Sequence, residues 1–466
     1  MVRNETAKGS LAADSFNWKP QPVAGKIVKE LVELFVGKIE FLQSLRRQLQ
    51  QVTGTRLIDW IDHFELSTKL AEEFLPIGSL IDAGFAVIEK GTDRTVYKHA
   101  GGLFPVIVIA DQSESRIGLK VESVVDFVAT HQIQVDMKSI PNASKRIAMV
   151  AADQDFEFWV IEKHGIQCWE TCIDEANHAL QICQIQESFR LRNRHCKSNR
   201  DGFDNANESI DDAIERIGVD RACDLFFQCE RIYWESRNHA ARVQKARQDR
   251  LGLGWANHDH HTYRSSRESF ADLISILEKL GFNCRERFYA GAEAGWGAQV
   301  LEQERCGIVV FADVDMSEEE LAGDFAHEGF ESRDELGTVG LWCALHGEAF
   351  LEAGMHHLEC QFDYSAARNL LENNGVLSMD PFTDFAFLKQ CFTNAEIWKV
   401  DEDRLETLVT QKSISKDEAE KFRVNGAVGS HLEILERNDG YKGFNQSGVS
   451  KIIAKTDPRK QETVID

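Results

Sequence analysis

Histidine and glutamate side chains that could bind a metal ion occur at three places in the second half of the chain. These places are His258-Asp259-His260-His261, His356-His357 shortly after His346-Gly347, and His431-Leu432-Glu433. Each lies in a run with strand-like patterning, and alternate residues of a strand share one face. His260 and Arg264 are therefore expected on one face of the first strand, and His431 and Glu433 on one face of the third.

Two imidazoles and one carboxylate from strands far apart in the sequence would make the facial triad of non-haem Fe(II) oxygenases. That triad leaves three neighbouring coordination positions open for substrate and oxygen. The sequence alone leaves open whether His356 or His357 is the second imidazole. It also leaves open the alternative that these histidines only form hydrogen bonds within half-buried strands.

The elements expected around these residues form a β-α-β-β-β pattern that begins at Asp259. The predicted order is strand His261–Ser265, helix Ser269–Leu280, and strands Arg285–Tyr289, Ala298–Glu302 and Ile308–Ala312. Further along we predict strand His357–Asp363, helix Ser365–Asn373, a helix opened by a Ser415/Glu418 capping box, and strand His431–Arg437. These elements predict an α+β fold with β-α-β-β-β modules around a metal site.

We predict two further regions before the metal-binding catalytic domain at 255–466. Residues 1–165 read as an N-terminal α+β domain of unknown role, with short strands between Gly84 and Glu162. Residues 166–254 read as a helical connector. Cys168 and Cys172 are expected on one face of a helix over 167–186, as reduced thiols in a cytoplasmic protein.

Composition limits the classes of partner. The chain has 466 residues and a formal net charge of −23, which repels phosphate backbones and anionic membranes. The first twenty residues carry charges and no apolar core, so we predict no secretory signal and a cytoplasmic location. Part of the negative charge is concentrated between Asp315 and Glu335, where Arg333 is the single cation, and we expect this to be a surface segment.

The three motifs together resemble the vicinal-oxygen-chelate superfamily, and within it the 2-oxoadipate dioxygenase/decarboxylase (hydroxyglutarate synthase) family. The resemblance covers roughly residues 255–456 and depends on three stretches: Asp259–Ser265, Leu345-His346-Gly347 with His356-His357, and Glu433–Arg437 followed by Gly443-Phe444 and Lys451-Ile452-Ile453. Two departures stand out. The gap before His357 is longer than in the family, and Glu359 replaces the threonine that closes the family's second motif.

The resemblance implies His260, His357 and Glu433 as ligands of Fe(II) and Arg264 as the residue that binds a substrate carboxylate. We also expect Asn445 and Gly448 to bind the substrate. The implied function is oxidative decarboxylation of a 2-oxo acid with O₂, for example 2-oxoadipate to 2-hydroxyglutarate. Two alternatives remain: another metalloenzyme of the superfamily, glyoxalase-like or ring-cleaving, or a non-catalytic ligand-binding protein. We expect small-molecule partners, no nucleic acid and no membrane.

Overall fold

The computed structural model describes residues 18–75, 77–135, 142–170, 176–333, 335–445 and 457–460. Its α-helices are α1 Pro22–Lys38, α2 Glu40–Gln48, α3 Thr68–Phe74, α4 Ile77–Asp82, α5 Val124–Thr130, α6 Ala176–Arg190, α7 Asn199–Ile217, α8 Val219–Ser236, α9 His239–Asp249, α10 Phe270–Lys279, α11 Phe325–Glu328, α12 Thr338–His346, α13 Tyr364–Glu372, α14 Glu402–Thr410 and α15 Lys416–Asn425. Its strands are β1 Ile61–Ser67, β2 Phe85–Lys90, β3 Arg94–His99, β4 Val106–Ala110, β5 Ser115–Lys120, β6 Lys145–Asp153, β7 Phe156–Lys163, β8 His258–Arg264, β9 Asn283–Tyr289, β10 Trp296–Gln303, β11 Ile308–Asp315, β12 His357–Gln361, β13 Thr383–Phe385, β14 Leu388–Phe392, β15 Ile397–Trp398, β16 Ala427–Val428 and β17 His431–Arg437. None of the helices in these ranges is long and apolar enough to span a membrane.

The larger sheet has eight strands in the order β13-β14-β17-β12-β8-β11-β10-β9. One half of it is the module β8-α10-β9-β10-β11, which confirms the predicted β-α-β-β-β order. The other half is β12-α13-β13-β14-β17. Each module orders its strands first, fourth, third, second, and the two first strands, β8 and β12, pair antiparallel at the centre. The fold is α+β with modules of the vicinal-oxygen-chelate type.

The first half of the chain repeats this architecture, which the sequence did not predict. Its seven-stranded sheet has the order β2-β3-β4-β1-β5-β7-β6. Strands β1 to β4 form one complete module, with β1 parallel to β4. Strands β5, β6 and β7 with helix α5 form a second module that is one strand short, and β5 pairs antiparallel with β1 at the centre.

The two faces of the larger sheet have different roles. The face that carries His261 and Tyr263 packs on the helical layer, where the ring of Phe227 in α8 lies 5.1 Å and 6.2 Å from theirs. Phe227 and Tyr263 belong to the main hydrophobic core. The opposite face carries His260, Thr262 and Arg264, because side chains alternate along β8.

Two predictions about segments near this sheet are wrong. Cys168 lies in a turn rather than a helix, because α6 begins only at Ala176. Gly165, between β7 and that turn, adopts φ +67°. Cys172 lies outside the described residues. Asp315, expected on the surface, is buried and accepts hydrogen bonds from the backbone N–H groups of Val339 and Gly340 at the start of α12. A carboxylate there satisfies amides that have no partner within the helix.

Candidate metal centre

Four potential metal ligands converge at the centre of the larger sheet. In the register of β8, β12 and β17, His260 lies opposite Glu359, and Glu359 lies opposite Glu433. His357 lies two residues before Glu359 and therefore projects from the same face. One potential ligand atom from each of these residues lies within 4.8 Å of those of the other three. The strand order thus brings together side chains that are up to 173 positions apart in sequence (433 minus 260).

The contacts inside this cluster are close. His260 Nδ1 lies 2.5 Å from Glu359 Oε2, and His357 Nε2 lies 3.3 Å from Glu433 Oε2. The hydroxyl of Thr262, on the neighbouring strand, lies 2.8 Å from His357 Nε2. All four side chains are buried or nearly so; that of His357 is 12% exposed and that of Glu433 only 1%.

The charge state of the cluster suits a divalent cation. Burial raises the pKa of Glu433 to about 8. Burial, with Glu433 adding to it, raises the pKa of Glu359 well above its usual range, while burial and the neighbouring His260 lower the pKa of His357 well below its own. Burial disfavours the ionised form of the two carboxylates. A cation between them favours that form, because it supplies a nearby opposite charge. The donor set of two imidazoles and two carboxylates therefore fits a divalent metal.

A second layer of hydrogen bonds fixes the orientation of the candidate ligands. Asp259 Oδ2 lies 3.0 Å from His260 Nδ1. Arg437 donates two hydrogen bonds of 3.0 Å to the Asp259 carboxylate, and Gln361 donates a third of 3.0 Å. Asp259 and Glu359 both approach Nδ1 of His260, so the Asp259 carboxylate fixes the orientation of this ring.

His356 lies outside the cluster. Its ring stacks between those of Trp342 and His431, at centroid distances of 5.5 Å and 5.2 Å. The structure therefore places His357, and not His356, beside His260. His431 projects from the same face as Glu433, and its Nε2 is buried without a hydrogen-bond partner. His346 is also separate, because its Nε2 lies 3.0 Å from the Val428 carbonyl oxygen.

Arg264 is a buried cation that forms no ion pair with a carboxylate among the described residues. It is 3% exposed, and its Nε and Nη1 form no hydrogen bond. Its guanidinium lies 5.6 Å from the ring centroid of Trp342. Asp313 is its register partner on β11, yet the described residues include no ion pair between them within 4 Å. Burial lowers the pKa of Arg264 to about 10 and raises that of Asp313 to about 8.

Other residues singled out in the sequence have mixed outcomes. Arg267, three residues after Arg264, is buried and paired with Glu320 at 2.6 Å. Asn445 donates to the Phe382 carbonyl at 3.3 Å and to the Thr383 hydroxyl at 3.1 Å, at the margin of the sheet face. Gly448 lies outside the described residues, as do Lys451, Ile452 and Ile453.

Aromatic rings cover the cluster. The ring of Phe311 lies 4.4 Å from that of His260, and the ring of Phe444 lies 5.1 Å from Phe311. Phe392 lies 5.1 Å from His357. These rings remove water from around the candidate ligands, which strengthens electrostatic interactions there.

Glu359 was not predicted as a ligand. The signal was present, because Glu359 follows His357 by two residues on a strand and therefore shares its face. In the resemblance, Glu359 counts only as a departure from the family's threonine.

Comparisons with known proteins give distant structural likenesses. No protein-family model and no curated protein matches the sequence. Among solved structures, a variant of 4-hydroxymandelate synthase from Streptomyces coelicolor matches 86% of this chain and 99% of its own, at 11% identity and a TM-score of 0.29. Methylmalonyl-CoA epimerase from Mycobacterium tuberculosis matches 39% of this chain and 88% of its own, at 13% identity and a TM-score of 0.22. Glyoxalase I from Zea mays matches 23% of this chain and 44% of its own, at 15% identity and a TM-score of 0.17. At these TM-scores the likenesses carry no weight for function, and the fold class follows from the strand order of the chain itself.

Proposed function

We propose that the protein is an Fe(II)-dependent dioxygenase that oxidatively decarboxylates a 2-oxo acid. The observation that carries the proposal is the buried Arg264, which forms no ion pair in the part of the chain that the structure describes and lies on the same strand face as the candidate ligands. Asp313, Asp315 and Asp457 act on Arg264 electrostatically without a direct ion pair, so its guanidinium can still form hydrogen bonds to an anionic ligand beside the metal-type cluster.

His260, His357 and Glu433 would hold the ion, and Asp259 would hold the His260 ring in its orientation. A bound Fe(II) would supply the Lewis acidity and the redox chemistry that reaction with O₂ requires.

Arg264 would hold a substrate carboxylate with charge-assisted hydrogen bonds from its guanidinium, whose Nε and Nη1 form none among the described residues. The rings of Phe311 and Phe392 would keep water from the reacting carbon. A dicarboxylic substrate such as 2-oxoadipate matches this arrangement, with one carboxylate near the ion and the other at Arg264; by the resemblance its product would be 2-hydroxyglutarate.

A second function is favoured by one observation, the presence of Glu359 as a fourth candidate ligand. If four side chains bind a six-coordinate ion, two positions remain, which suffices for a chelating substrate but leaves none for O₂. The site would then suit a glyoxalase-like isomerase, in which a glutamate moves a proton on the carbon beside the substrate carbonyl.

Oxygen uptake separates the two functions. The protein is reconstituted with Fe(II) without oxygen and then assayed in an oxygen electrode with 2-oxo acids of increasing chain length, with and without a second carboxylate. We expect uptake and CO₂ release with at least one dicarboxylic 2-oxo acid. Bound metal without oxygen consumption above background for every acid would reject the dioxygenase, and bound metal with isomerisation of a 2-hydroxy or 2-oxo substrate would favour the second function.

Variants test the ligand set. Glu433→Ala is expected to lose metal, whereas Glu436→Gln, on the opposite face of the same strand, is expected to keep it. Glu359→Gln keeps the shape of the side chain and removes one negative charge. The dioxygenase predicts that this variant retains metal and oxygen uptake, and the isomerase predicts that it loses turnover.

A further inference from the structure

The first half of the molecule repeats the bulged Asp-His pair of the candidate metal centre. In β1 the pairing with β5 skips Asp62, just as the pairing of β8 with β12 skips Asp259. His63 therefore occupies the position that corresponds to His260. A bulge of this kind redirects a side chain and is common beside functional sites.

The partners of His63 differ from those of His260. His63 lies opposite Gly118, and Gly118 lies opposite Trp159, so that glycine and tryptophan stand where Glu359 and Glu433 stand in the second half. A Cβ atom at Gly118 would lie 2.4 Å from the His63 ring, which shows that the ring lies directly over this glycine. The first half thus keeps the histidine but lacks the two glutamates.

Cys168 takes the place of those ligands beside His63. One potential ligand atom each from Asp62, His63 and Cys168 lies within 4.8 Å of the other two. His63 Nδ1 lies 2.8 Å from Asp62 Oδ2, and the other oxygen of Asp62 lies 2.5 Å from Lys163 Nζ. Both Asp62 oxygens are therefore occupied, and the remaining ring nitrogen of His63 is left for the thiol.

The surroundings favour the charged forms of His63 and Lys163. Burial lowers the pKa of His63, but Cys168 and Asp62 outweigh it and bring the pKa to about 10. Burial also lowers the pKa of Lys163, and Asp62 and Cys168 raise it above its usual value. A cysteine beside an imidazole and an ammonium group lies in the electropositive surroundings that are typical of reactive cysteines.

We propose that Cys168 is a nucleophilic thiol, positioned beside His63 and Asp62, and that it is a modification site for small peroxides and soft electrophiles. The arrangement is that of a nucleophile, a base and an acid that orients the base. Cys168 is 8% exposed, so access is limited to small reagents. This inference does not depend on the function proposed for the metal centre.

The reaction with a peroxide is balanced by groups at this site. The Cys168 thiolate attacks the oxygen of the peroxide that carries hydrogen, so that an S–O bond forms and the O–O bond breaks. The sulfur loses two electrons and becomes a sulfenic acid. The departing oxygen takes a proton from the His63 imidazolium and leaves as water or an alcohol.

Competitive labelling tests the proposal on the intact chain. Native protein is treated with limiting iodoacetamide, or with hydrogen peroxide and a sulfenic-acid trap, and the labelled cysteines are identified by peptide mass spectrometry. We expect Cys168 to be labelled before the exposed Cys183. Because a positioned base contributes about 100-fold or more to such a step, His63→Gln is expected to slow the labelling of Cys168 by roughly that factor and to leave Cys183 unchanged.

Three results would overturn the proposal. The first is labelling of Cys183 before Cys168, with Cys168 reacting only after unfolding in urea. The second is an unchanged Cys168 rate in both His63→Gln and Asp62→Asn, provided that circular dichroism shows both variants folded. The third is a zinc ion at Cys168, seen as bound metal in native mass spectrometry that survives His260→Ala and is lost in Cys168→Ser; in that case the thiol is a ligand and not a nucleophile.

Discussion

At the scale of single residues, Arg264 carries the proposal for substrate binding. Arg264→Lys keeps the positive charge but loses the planar pair of donors. We expect KM for the 2-oxo acid to rise by roughly ten- to a hundredfold, which corresponds to about 1.5–3 kcal/mol for a hydrogen bond to a charged group. Steady-state kinetics would measure this change, with metal content as the control, since Arg264 is not a candidate ligand. An unaltered KM would remove Arg264 from the substrate site.

The same residue predicts a cost in stability. A buried guanidinium without a partner is unfavourable until an anion binds it. Arg264→Met, which fills similar space beside Trp342 without charge, is expected to raise the melting temperature of the ligand-free protein while it abolishes turnover. Calorimetry without substrate would measure the change. A lower melting temperature would mean that Arg264 already has a stabilising partner in the native protein.

How far the sequence predicts the site also depends on single residues. His260, His357 and Glu433 could be proposed because their motifs and strand alternation are local features. Their convergence could not be, because it depends on β12 pairing with both β8 and β17. The alternation with His357 places Glu359 on the same face, but only the register shows that it lies between His260 and Glu433.

At the scale of elements, the predicted capping box at α15 is confirmed. The Ser415 hydroxyl accepts from the Glu418 N–H at 3.1 Å, and the Glu418 carboxylate accepts from the Ser415 N–H at 2.8 Å. Ser415→Ala is expected to lower the free energy of unfolding by about 1 kcal/mol. Urea unfolding would measure this, with Ser413→Ala in the preceding turn as a control that should change little. Equal effects of the two substitutions would show that the cap contributes nothing specific.

Glu320, in the acidic segment between Asp315 and Glu335, pairs with Arg267 in the turn before α10. This contact predicts a pH dependence of stability. Burial raises the pKa of Glu320, but Arg267 and Arg333 outweigh it and bring the pKa to about 2. Because the folded pKa lies below the unfolded value, the stabilisation is complete above about pH 4.5 and is lost as the pH falls toward 2. Glu320 is about a quarter exposed, so we expect only about 1–2 kcal/mol at pH 7. Urea midpoints of wild type and Glu320→Gln should approach each other as the pH falls from about 4.5 toward 2; a constant difference would contradict the assignment.

The repeat of the sheet architecture in the first half was not predicted. It shows where local sequence patterns fail to predict a strand. Strand β1 carries Asp62, His63 and Glu65 among its residues and does not read as a hydrophobic strand. Its charges are tolerated because Lys163 and Arg116, from β7 and β5, lie against them. Those partners are distant in sequence, so the strand and the module that it begins are visible only in the fold.

At the scale of the whole molecule, the two halves meet near the candidate metal centre. A cavity of about 280 Å³ lies between α1 and the end of β17, and Arg437 and Gln361 line it. Both residues also hold Asp259, which orients His260. The first half therefore borders the groups that support the candidate centre, even though none of the four candidate ligands comes from it.

The net charge of −23 predicts how substrate binding responds to salt. The long-range field repels a dianionic 2-oxo acid, and salt screens that repulsion over a Debye length of about 10 Å at 0.1 M. The attraction at Arg264 acts inside a buried site, where screening is much weaker. We therefore expect kcat/KM to rise as ionic strength increases from about 10 to 100 mM, and to rise less for a substrate with a single carboxylate. The measurement is a salt series with both substrates. A fall in kcat/KM with salt would mean that exposed cations steer the substrate, and that the approach to the site is positively charged despite the acidity of the chain.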